Sequence, residues 1–86
     1  MTKKISDSNK LGQQIRAMEN GTEFSYSTIA GEFDCVKVSD NYIASTNIDN
    51  DLIIFDVYEN CLSIGNSNPT NYNAIKRMAK GLKINN

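Results

Sequence analysis

The sequence predicts an α+β domain: an N-terminal helix, a five-stranded antiparallel meander and a C-terminal helix, with both helices packed on one face of the sheet. Apolar residues recur at helical spacing only towards the two ends, at Leu11, Ile15 and Met18 and again at Tyr72, Ile75, Met78, Ala79 and Leu82. Between those stretches the period drops to two, and short Gly, Asn and Asp connections recur at even intervals, as in consecutive hairpins. The 86 residues suit one domain spanning the whole of 1–86.

The first helix is expected from Asp7 or Ser8, either of which can cap it, to Asn20, with Asn20-Gly21 as a left-handed stop. Gly12 inside it costs about 1 kcal/mol relative to Ala, so this helix needs a surface to lean on. Strands follow at 23–29, 32–38, 42–48, 52–58 and 61–65. Alternation puts Val36 and Val38 on one face of the second strand and Phe33 and Cys35 on the other. In the fourth strand Ile53, Phe55 and Val57 share a face, and Leu52, Ile54 and Tyr58 take the opposite one, so that strand is apolar on both sides. A loop is expected at Asn66–Asn68, then a helix opened by Pro69-Thr70, with Lys76, Arg77, Lys80 and Lys83 away from its apolar stripe and fraying at Gly81. The first five residues and Asn85-Asn86 read as loose.

A winged helix-turn-helix fits part of the same chain, with helices over 27–33 and 38–47 and a wing over 52–65. Its recognition helix would carry Asp40 and no Arg or Lys, a poor match to a phosphate-lined groove.

Charge is sorted by segment. Residues 1–18 carry net +3, residues 19–59 carry −8 with Lys37 as the single base, and residues 60–86 carry +4, within a formal net charge of −1. Such sorting speaks to partners and steering, not to fold. Asp40, Asp49 and Asp51 suit turns, whereas Glu23, Glu32, Asp34, Asp56 and Glu59 sit in or beside strands where turn chemistry does not explain them.

The composition removes most catalytic chemistry. There is no His, no Gly-rich phosphate loop and no nucleophile beside a base, and Asp34 and Asp56 have nothing to assemble around as an acid–base pair. Two cysteines without His do not build a zinc site, and Asp49-Asn50-Asp51 lacks the later ligands of a calcium loop. No cofactor or metal is implied. Cys35 and Cys61 read as reduced, buried residues of a cytoplasmic protein. No apolar run approaches the roughly 20 residues that span a bilayer, and no signal-peptide pattern follows Lys3-Lys4.

These features imply a small non-enzymatic binding protein that presents an acidic, tyrosine-bearing sheet surface to a protein partner with a basic surface. The expected surface comprises Asp34, Tyr42, Asp49, Asp51, Leu52, Ile54, Asp56, Tyr58 and Glu59, an apolar patch ringed by carboxylates. Twelve Asn and ten Ile, both with AT-rich codons, fit a phage or mobile-element inhibitor such as an antidefence, anti-CRISPR-like or immunity protein. The same patch makes a homodimer conceivable. The alternative is a nucleic-acid-binding regulator, winged-helix-like or acting through the basic C-terminal helix.

Overall fold

The computed structural model describes residues 3–6, 9–65 and 69–85. Strand β1 (Lys3–Ser6) and helix α1 (Leu11–Arg16) precede a run of strands β2 (Glu23–Thr28), β3 (Gly31–Ser39), β4 (Tyr42–Thr46), β5 (Leu52–Val57) and β6 (Leu62–Ile64). Helix α2 (Tyr72–Ala79) and a two-residue strand β7 (Ile84–Asn85) follow. The expected antiparallel meander is present, each strand of β2 to β6 pairing with the next in one curled sheet. Residues 27–47 are hairpin strands, which removes the winged helix.

The ends of the chain depart from expectation. Lys3–Ser6, of which all but Ser6 fall in the stretch read as loose, runs parallel beside β2, with Ile5 opposite Tyr26. Parallel neighbours need a crossover, and α1 supplies it. That helix is much shorter than the stretch 7–20 because the chain tightens after Arg16, where the Met18 N–H bonds Ile15 O at 3.0 Å. Leu11, Ile15 and Met18 nevertheless bury together as their spacing requires. The capping positions Asp7 and Ser8, and the loop 66–68, lie outside the described residues. At the other end, α2 stops at Ala79, and Gly81 just beyond it has a φ of 91°, which suits the chain's turn away from a helix end. Ile84–Asn85 then pairs with Glu32 and Phe33 of β3.

The two helices take opposite faces of the sheet, not one. Leu11, Ile15 and Met18 pack with Phe24, Tyr26, Cys35, Ile43, Phe55 and Val57. Ile75, Ala79 and Leu82 pack with Val36, Ala44 and Ile54. The doubly apolar β5 is the physical reason, since each of its faces needs a cover. Near the end of β4 the sheet splits and the chain after α2 fills the gap. The Asp34 N–H bonds Lys83 O at 2.9 Å, Ser45 Oγ donates to Asp34 O at 2.5 Å, and Thr46 Oγ1 donates to Leu82 O. Among the described residues no helix is long and apolar enough to cross a membrane.

Candidate docking surface

The fold disperses the nine residues expected to form one surface. Ile54 is buried beneath α2 with Ile75, and Tyr42 and Leu52 are partly buried against the same cluster, so the apolar patch expected there is covered. Asp56 lies opposite Tyr42, its carboxylate in the space left by Gly65, where an added Cβ would stand 2.3 Å from Oδ2. Asp49 and Asp51 are exposed in the β4–β5 turn. Asn47 Oδ1 accepts their N–H groups at 2.9 and 2.8 Å, which is turn chemistry. Tyr58 and Glu59 are exposed beyond β5, at the opposite end of the sheet from that turn. Asp34 alone lies on the β2–β3 part of the sheet.

Helix α2 rests on β3, β4 and β5 and leaves open the part of its face built by β1, β2 and the start of β3. Strand register brings acids and hydroxyls together there: Glu23 lies opposite Val36, Ser25 opposite Asp34, and Ser27 opposite Glu32. Ser25 Oγ donates to Asp34 Oδ1 at 3.3 Å, and Lys4 Nζ approaches Glu32 Oε2 at 3.7 Å. Ile29 at the tip of this hairpin is fully exposed. Glu23 and Glu32 are the members that the expected surface omits. The signal for Glu32 was its i,i+2 alternation with Asp34, whereas Glu23 reaches the same face only through the register that sets it opposite Val36.

The cysteines differ. Cys35 is fully buried, and burial pushes its thiol up to about 12; a Ser45 hydrogen bond opposes this and the Asp34 charge adds to it. It stays a neutral core thiol. Cys61 is exposed in the β5–β6 turn instead of buried, because the chain leaves the sheet there and only its carbonyl is engaged, by the Tyr58 N–H at 3.0 Å. In the native protein an aromatic disulfide reagent should therefore label one thiol quickly. Cys61→Ser should abolish that fast phase and Cys35→Ser should leave it; fast labelling of two thiols would refute the burial of Cys35. Among the described residues no group of three or more His, Cys, Asp or Glu is placed to hold a metal ion.

Beside α2, where the helix meets the end of β4 and the turn after it, Asn73, Lys76, Arg77 and Lys80 line an open cleft of about 410 Å³ together with Thr46 and Asn50. No protein-family model matches the chain, and no curated protein or solved structure matches it either.

Proposed function

We propose that the protein is a small non-enzymatic binding module that docks on the basic surface of a protein partner, as an inhibitor, antidefence or immunity protein of phage or mobile-element origin does in the cytoplasm. The observation that carries this reading is the register of β2 and β3, which gathers Glu23, Glu32 and Asp34 on the open part of one sheet face. Strand positions there hold short serines between the carboxylates, so a partner can approach the backbone closely. Exposed Ile29 at the hairpin tip offers an apolar anchor beside the charges, the combination of centre and rim that interfaces use. Such a protein works by occupying a surface, which needs complementarity and no chemistry.

Charge reversal of Glu23 and Asp34 to Lys should slow association with the captured partner and flatten its dependence on salt, because charges near an interface mainly steer encounter. Ile29→Ala should chiefly speed dissociation. Capture from host lysate followed by surface-binding kinetics reads both, after sedimentation has shown whether the isolated protein self-associates. If Lys76→Glu with Lys80→Glu abolishes capture while the acid reversals change nothing, the acidic face is not the docking surface.

A further inference from the structure

The cleft beside α2 has a lining that the acidic face does not explain. Asn73, Lys76 and Arg77 lie at i, i+3 and i+4 along the helix and Lys80 follows at its C-cap, about 10 Å from first to last at 1.5 Å per residue. The facing wall is fixed, since Asn50 sits at φ 66° in a turn closed by the Asn47 hydrogen bonds and its own N–H bonds Asn47 O at 2.9 Å. The Thr46 hydroxyl is committed to Leu82 O, which leaves two amides and three cations to meet a ligand. Among the described residues no ion pair joins Lys76, Arg77 or Lys80 to a carboxylate, unlike Lys4 with Glu32 and Lys37 with Asp40.

Helix electrostatics account for part of this. Cations near a helix C-terminus complement its dipole, but Lys76 and Lys80 are also a like-charge i,i+4 pair that costs roughly 0.2–0.5 kcal/mol. Neither effect brings Asn50 into one cleft with Asn73 and the cations. We infer that this cleft binds a diphosphate group. Its charged groups are all donors, the Arg77 guanidinium matches two phosphate oxygens at once, and its size falls in the range of small-ligand sites. Asp49 and Asp51 flank Asn50 in the chain, so a long polyanion lying across the turn would meet like charge. That restricts the ligand to a compact one, free diphosphate or the diphosphate of a nucleotide.

The cleft lies on a different element from the acidic face, so the two sites stand or fall separately. Titration of the ¹⁵N-labelled protein with inorganic pyrophosphate, a nucleoside diphosphate and a twelve-nucleotide single strand tests it. The expected result is saturable movement of the Asn50, Asn73, Lys76, Arg77 and Lys80 amides with the two small probes. Lys76→Gln with Lys80→Gln should weaken both by about tenfold or more while leaving the spectrum that of a folded protein, and Lys3→Gln should change neither. A nucleoside diphosphate that binds more tightly than pyrophosphate at the same residues makes the source a nucleotide; equal affinity makes it free diphosphate. Non-saturating shifts spread over every lysine, or affinity unchanged in the double variant, would overturn the assignment. So would binding of the oligonucleotide alone with a steep salt dependence, which would give α2 to a nucleic-acid strand.

Discussion

Lys37→Met should lower stability by about 3 kcal/mol, the largest loss expected from any single substitution that keeps side-chain length. Lys37 is only 2% exposed, yet its ammonium is fully engaged. It donates to the Arg16 and Met18 carbonyls at 3.2 and 2.5 Å and pairs with Asp40 Oδ1 at 2.8 Å. The middle strand of the sheet thus holds the C-terminal end of α1 through a side chain, where free carbonyls would otherwise be buried. Methionine fills the channel but leaves both carbonyls without a donor. Against a total stability of roughly 4–13 kcal/mol for a chain of this length the loss is severe. Thermal unfolding should shift down by about 12–24 °C. A shift of a degree or two would show that water replaces the ammonium at no cost.

The partner carboxylate adds a pH signature. The Lys37 hydrogen bond and charge hold Asp40 below its ordinary 3.8. A carboxyl lowered in the folded state contributes stability that is present above 3.8 and lost as pH falls through its folded value. Asp40→Asn should therefore be less stable than the parent at neutral pH, with the difference closing in acid. Because Asp40 is exposed, that loss should be the smaller of the two.

Gly12→Ala should destabilise by about 2 kcal/mol, against the gain of about 1 kcal/mol that alanine gives a helix interior. A Cβ at residue 12 would stand 2.5 Å from the Tyr58 carbonyl oxygen and 3.1 Å from that of Glu59, both backbone atoms that cannot swing aside. The close approach has a purpose in hydrogen bonding. The Gly12 N–H, a first-turn donor without a helical partner, bonds Glu59 O at 2.9 Å. Denaturant unfolding reads the sign directly, and a stabilised Gly12→Ala would mean that α1 can back away from the turn freely.

The meander was legible because period-two alternation and turn residues are local, and the strand faces follow from them. Which helix covers which face is not local. The signal was nevertheless present in Leu52-Ile53-Ile54-Phe55, a strand apolar on both sides that calls for two covers. Lys37 carried a similar anomaly: alternation puts it on the Phe33 and Cys35 side, where a lysine must find internal partners. β1 and β7 were illegible, since Lys3-Lys4 and Asn85 have no strand propensity of their own and pair only because an assembled edge or split receives them. Of the nine residues expected to form one surface, the fold keeps few together. Asp34 belongs to an open face, but Tyr42, Leu52 and Ile54 were assigned on the premise that α2 lay elsewhere.

The split between β3 and β4 sets an order of assembly. Each hairpin of the meander joins neighbours in sequence and can form as soon as its own residues exist, which is the fast class of contact. Closing the split instead brings residues 84–85 to 32–33, across nearly the whole sheet in sequence, and the loop entropy of that closure is met in one step. On a chain made from its N-terminus, the hairpins can thus exist while Thr46 and the Asp34 N–H still face water, and the core beneath Leu82 is sealed only when the last strand arrives.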